Sequence, residues 1–176
     1  YFGHDLHFLR VQREFLVTGD KKLGALSDEW KRRELAVFEG FDKVYYPSQI
    51  EVDVVAEVAP GTDVSAIPLY VLDESEQSTY CWKDRRDILF VAGFNHPPNV
   101  DGLCWFVDEV LPLVVEVFPD IRFNVVGANA PKAVMDVASK HVIIHGYLTD
   151  EELALQYNKA RTVAVPLRFG AGVKGK

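Results

Sequence analysis

The sequence predicts an α/β protein built on a parallel sheet with helices on both faces. Three observations carry this. Strand and helix signals alternate four times from residue 88 onward, with strands at 88–92, 121–126, 142–145 and 162–166. Those strands are runs of apolar residues rather than apolar–polar alternations, and the first three end at Gly93, Gly127 and Gly146. Unbroken apolar strands belong to sheets buried on both faces, and intervening helices supply the crossovers that parallel pairing needs. Such sheets bind ligands beyond the carboxyl ends of their strands.

Composition agrees. Of 176 residues, 48% are apolar and 26% charged, which excludes a disordered tail, a collagen-like repeat and a disulfide scaffold. Nineteen basic against 26 acidic residues leave a formal charge of -7, the wrong sign for a duplex-binding footprint. The two cysteines, Cys81 and Cys104, make no four-cysteine zinc site and have no paired histidine spacing. No apolar run is long enough to span a bilayer. A reducing, cytoplasmic setting is expected. There is no initiator Met or signal-peptide pattern, and Gly175-Lys176 stops inside a glycine-rich stretch, so the chain reads as a piece of a longer protein.

The elements follow in order. Leu6, Leu9, Phe15 and Leu16 mark a helix over 6–17, stopped by Thr18-Gly19-Asp20. Ser27 caps a second helix over 28–40, and residues 44–46 form a short strand. Ser48 and Glu51 make a capping box for a helix with Ile50, Val54, Val55 and Val58 on its apolar side, and 64–69 reads as another strand. Residues 73–79, Asp-Glu-Ser-Glu-Gln-Ser-Thr, hold no apolar side chain. They suggest a domain boundary, although a surface loop within one domain fits as well. The division is therefore 1–72, a linker at 73–86, and 87–176. In the last part a helix over 100–117 is bent by Pro112, a short helix covers 131–139, and Thr149 with Glu152 boxes the helix to Lys159.

Three strand ends carry candidate chemistry. Gly93-Phe94-Asn95-His96-Pro97-Pro98-Asn99 sets polar groups at a helix N-terminus, where backbone N–H groups favour an anion. Equally, Asn99 caps the helix and His96 is solvated. Arg168-Phe169-Gly170-Ala171-Gly172-Val173-Lys174-Gly175-Lys176 combines three glycines, whose backbone can converge on a ligand, with three cations. That combination suits a diphosphate. The stretch also satisfies the bare dinucleotide fingerprint, and the nucleotide P-loop short of its Ser/Thr; a flexible surface loop is the plainer alternative. His4-Asp5-Leu6-His7 with Arg10 lies at a strand-to-helix junction, where Asp5 can cap and His4 can contact substrate or act as a base. Its spacing is wrong for paired zinc histidines. His141 and His145 flank a strand and read as packing residues.

Four stretches, 90–102, 125–127, 145–153 and 165–176, together resemble the group-one family of nucleotide-sugar glycosyltransferases with the GT-B fold. They run in that family's order and cover 87–176, while 1–68 looks like the closing part of the preceding domain. The resemblance implies two Rossmann-like domains with a cleft between them, and transfer of a hexosyl group from a nucleoside-diphosphate sugar to an acceptor hydroxyl. It implies retention of configuration and no metal or resident cofactor, the nucleotide sugar being substrate. The donor would be held by Gly93, Asn95, Asn99, Arg168, Gly170, Gly172, Lys174, Gly175 and Lys176, with His4 the candidate catalytic residue. The partners implied are a nucleotide sugar and a carbohydrate or glycolipid acceptor in bacterial polysaccharide or glycoconjugate assembly, with no nucleic acid. The setting implied is the cytoplasm or the inner face of the membrane.

Many relatives carry two glutamates seven residues apart around this loop. Here Ala171 stands at the first and the second falls past Lys176, so a chain of this extent is not expected to turn over substrate. A P-loop or dinucleotide enzyme, and a non-catalytic α/β module, stay open as alternatives.

Overall fold

The structure, a computed structural model, describes residues 1–69 and 80–173. The linker stretch 73–79 and the loop residues Lys174, Gly175 and Lys176 therefore lie outside the described residues. Two compact units emerge, one from Tyr1–Glu74 with Phe169–Gly175 and the other from Ser75–Arg168. Sequence reading placed the glycine loop wholly in the second domain; its described residues beyond Arg168 group with the first unit.

In the first unit, β1 (Val44–Tyr46) pairs in parallel with β2 (Val64–Ala66), and Phe2 bridges Tyr45 in parallel. Helix α1 (His7–Thr18) ends at Gly19 in the left-handed conformation, and Asp20 immediately caps α2 (Lys21–Phe38) by accepting from the Lys22 N–H at 3.0 Å. The polar cluster read as a stop thus also starts the next helix. Ser27, expected as a cap, is buried within α2 and donates to the Phe8 carbonyl at 3.0 Å. Helix α3 (Gln49–Val58) starts at Ser48 as expected. Leu6, Phe8, Leu9, Phe38, Val44, Tyr46, Val52 and Val55 form the core of this unit.

The second unit is a parallel sheet of β3 (Arg86–Val91), β4 (Phe123–Val126), β5 (Val142–Gly146) and β6 (Ala160–Val163) in the order β5-β4-β3-β6. Ile88, Phe90 and Ala92 pack to one face with Phe123, Val125 and Val142. Leu89, Val126 and Ala160 pack to the other, beneath Leu148, Leu153 and Tyr157. Burial on both faces is why these strands read as unbroken apolar runs.

The first face is covered by α4 (Pro97–Trp105), α5 (Leu111–Val117) and α6 (Lys132–Asp136). Between α4 and α5 lies a π-helical turn, Phe106–Val110, closed by the Leu111 N–H on the Phe106 carbonyl. It accommodates Pro112, whose ring in a regular helix would meet the carbonyl four residues back and whose nitrogen cannot donate. Helix α7 (Asp150–Lys159) carries the complete Thr149–Glu152 capping box foreseen from sequence.

Candidate functional site

The order β5-β4-β3-β6 has a consequence for ligands. From β3 the chain adds β4 and β5 on one side, then returns to place β6 on the other. Where the strand order reverses in an open parallel sheet, here between β3 and β6, a crevice lies at the carboxyl ends. The segments leaving β3 and β6 are the two that carry Gly93, Asn95 and Asn99, and Arg168.

In the first of these segments, Gly93, Asn95 and His96 are exposed, and nothing crowds the position of the missing Gly93 side chain. Asn99 is buried, and its amide donates to the Gly93 carbonyl at 2.8 Å, folding the loop back onto α4. The cap position belongs to His96, whose side chain does not cap the helix. Pro97 and Pro98 occupy the first two helical positions and have no N–H, while the Asn99 N–H donates to the His96 carbonyl at 3.0 Å. The amide field expected at this helix end is thus depleted, and the loop offers exposed side chains instead.

Two features fasten the second segment to α4. A Cβ on Gly102 would lie 2.5 Å from the Pro166 carbonyl oxygen, so the close approach requires glycine there. Asp101 accepts from the Arg168 guanidinium in a bidentate pair, with Nε at 2.8 Å. That pair holds Arg168 even more firmly protonated, but it also means that Arg168 meets a diphosphate only by sharing or leaving Asp101.

The remaining candidates lie in the first unit. His4 is exposed, edge-on to Phe2 at 5.8 Å between ring centroids. Asp5 does not cap α1: Leu6 is the cap residue, and Asp5 pairs with Arg10 at 2.7 Å. The orphan N–H groups of α1 go to two buried carboxylates that sequence reading gave no such role. Glu34 of α2 accepts from the His7 and Phe8 N–H groups at 2.9 and 3.0 Å, and Glu51 of α3 accepts from the Leu6 N–H at 2.9 Å. Glu51 therefore does not close the box expected with Ser48. Ser48 accepts from the Glu51 N–H at 3.3 Å, but its hydroxyl in turn donates to the Glu51 carboxylate at 3.0 Å.

The glycine loop packs onto this junction. Gly172, with φ of +73°, donates its N–H to Glu51 Oε1 at 3.1 Å, and a Cβ there would stand 2.9 Å from the His4 carbonyl oxygen. Arg13 donates to the Gly170 carbonyl at 2.7 Å, and Ala171 packs against the first core. Gly172 and His4 are thus neighbours. The Gly172 N–H, assigned from sequence to a ligand, is directed at a carboxylate of the protein itself.

His141 and His145 are hydrogen bonded to the Ile121 carbonyl and Asn124, as packing residues would be. Among the described residues no cluster of three metal-ligating side chains converges, and no helix is long and apolar enough to cross a membrane. A cavity of about 880 Å³ opens at the opposite, amino-terminal edge of the sheet, lined by Trp82, Arg85, Phe118, Ile121 and Arg161 among others. Its volume suits a ligand, but its edge does not, because parallel sheets present their crevice at the carboxyl ends.

The fold is that of the GT-B glycosyltransferases: an α/β architecture of parallel sheets and helices. The solved structures it matches include two of TarM, one of them an S. aureus TarM mutant in complex with fondaparinux, alpha-GlcNAc-glycerol and UDP. Each has a TM-score of 0.58 and 13% identity, covering 77% of this chain and 27% of TarM. At that identity the likeness concerns the fold. No family model matches the chain. A Klebsiella pneumoniae protein, described as an uncharacterized 44.6 kDa protein in the cps region, is 33% identical over 98 residues. The match spans 51% of this chain and 25% of that protein, so the matched half of the chain covers about a quarter of that relative's length.

Proposed function

We propose that this chain is part of a nucleotide-sugar glycosyltransferase of the group-one type, and that the carboxyl ends of β3 and β6 help hold the donor. The observation that supports this most is the strand order, which sets the two segments marked in the sequence side by side at the crevice of a parallel sheet. Asn95 and the open space at Gly93 would meet the nucleotide sugar from one side. The glycine loop, with Lys174 and Lys176, would meet its diphosphate. Cations and fixed N–H dipoles stabilise charge as it develops on a departing diphosphate, which is how transfer would proceed without a metal or resident cofactor. In this reading the sugar passes to a carbohydrate or glycolipid hydroxyl with retention of configuration, and His4 is the candidate catalytic residue. The cps-region relative and the TarM complex with UDP favour bacterial polysaccharide or glycoconjugate assembly, in the cytoplasm or at the inner membrane face.

The structure disfavours the nucleotide P-loop and dinucleotide readings. Both motifs join the first strand of a sheet to a helix. Here the glycines follow β6, while the corresponding place after β3 holds Pro97 and Pro98.

Calorimetry of the protein with UDP-, GDP- and dTDP-sugars tests the proposal. Binding of one, weakened at least tenfold by Lys174→Ala with Lys176→Ala, supports it. No binding of any, or affinity untouched by the double substitution, refutes it.

A further inference from the structure

Glu51 is buried to 1% exposure, yet its carboxylate meets three donors from three parts of the chain: the Leu6 N–H at 2.9 Å, the Gly172 N–H at 3.1 Å and the Ser48 hydroxyl at 3.0 Å. A buried carboxylate is tolerated only when its lone pairs are met in this way. The Gly172 bond joins groups 121 residues apart in sequence. Two residues earlier, Arg13 holds the Gly170 carbonyl at 2.7 Å. The loop is therefore gripped at both ends of a three-residue span, once through an N–H and once through a carbonyl. Between these points Ala171 is pressed on the core, and beneath Gly172 the His4 carbonyl leaves no room for a Cβ.

We infer that Glu51 is a positioning residue: with Arg13 it clamps residues 170–172 of the glycine loop on the His4–Asp5 turn. This rests on the nucleotide-sugar reading, because the glycine loop held by the clamp is the one proposed to meet the diphosphate. Affinity for a nucleoside diphosphate then depends on a side chain whose carboxylate, an anion itself, need not touch the ligand. A glycine stretch without the clamp samples many conformations, and the ligand would have to bear the ordering cost.

The test has two independent arms. Amide hydrogen exchange, read by NMR without ligand, should quicken at Gly172 at least tenfold in Glu51→Ala and Arg13→Ala, while Glu51→Gln, which keeps an acceptor oxygen, should recover most of the protection. Exchange at Leu6 should quicken in Glu51→Ala but not in Arg13→Ala. Gly172→Ala, which leaves Glu51 intact but forces a Cβ on the His4 carbonyl, should loosen residues 170–173 by a separate route. It decides the matter where Glu51→Ala does not fold.

In the second arm, UDP, GDP or dTDP, whichever binds the wild type, should bind about tenfold more weakly to Glu51→Ala and to Gly172→Ala. The double variant should be no worse than the poorer single one. Unchanged exchange at Gly172 in folded Glu51→Ala or Gly172→Ala overturns the clamp. Faster exchange with unaltered nucleotide affinity overturns the positioning role. Failure of the wild type to bind any of the three nucleotides removes the donor reading and the affinity claim with it, while the exchange arm still judges the clamp.

Discussion

Replacing Glu34 by Ala removes the acceptor for two consecutive N–H groups at the start of α1. The carboxylate side chain is 8% exposed and takes the His7 N–H at 2.9 Å and the Phe8 N–H at 3.0 Å, with His7 Nδ1 at 3.2 Å. Phe8 is buried, so water cannot readily replace the lost acceptor there. An orphaned buried N–H costs about 1–3 kcal/mol, and two give about 2–6 kcal/mol. Relief of a buried charge offsets part of this, which leaves a loss of about 3 kcal/mol, or roughly two orders of magnitude in the folding equilibrium. Glu34→Gln offers an oxygen to one N–H but turns its own NH₂ toward the other, so it should lose about 1–2 kcal/mol. Urea unfolding followed by fluorescence reads this locally, because Trp30 stacks on His7 at 4.8 Å between ring centroids. Destabilisation below about 0.5 kcal/mol in Glu34→Ala would refute the role of Glu34 as acceptor for the first N–H groups of α1.

Further outcomes follow from the second unit. Gly102→Ala drives a Cβ to 2.5 Å from the Pro166 carbonyl, and although Ala favours helix by about 1 kcal/mol, overpacking should leave a net loss of about 1–2 kcal/mol by urea unfolding. A stabilised variant would show that α4 and the segment after β6 are not in the close contact described. Asp101→Asn should change stability by under about 1 kcal/mol, because the pair it breaks lies on the surface; a loss above about 2 kcal/mol would contradict that exposure. Burial, and the nearby Asp108 and Asp101 charges, push the Cys104 thiol upward, whereas Cys81 is exposed. Only the thiolate reacts, so alkylation mapped by mass spectrometry should label Cys81 first, and Cys104 should need higher pH than an ordinary thiol. Equal rates at pH 8 would overturn that order.

The sheet was legible because its information is local. Phe90, Val125 and Ile144 lie in short apolar runs that signal two-sided burial without reference to any partner, and the Thr149–Glu152 box is complete within four residues. Pro112 declared a disturbance, though not that a π-helical turn would accommodate it. What escaped was non-local. Ser27 looked like a cap because nothing nearby in sequence shows that its partner is the Phe8 carbonyl. Arg168 looked like a free cation because Asp101 lies 67 residues away. Glu51 looked like half of a box, since its Leu6 and Gly172 partners come from opposite ends of the chain. Of the site, sequence located the loops; the structure showed which of their groups the protein already occupies.

The account depends most on ligand binding at the carboxyl ends of β3 and β6. Titration of the isotopically labelled protein with UDP, GDP and dTDP, followed by amide chemical shifts, tests this directly. The account predicts that a binding nucleotide perturbs residues 93–99 and 166–173 while leaving 82–87 and 118–122 at the opposite edge unmoved. Perturbation confined to that opposite edge, around Trp82 and Phe118, would contradict it.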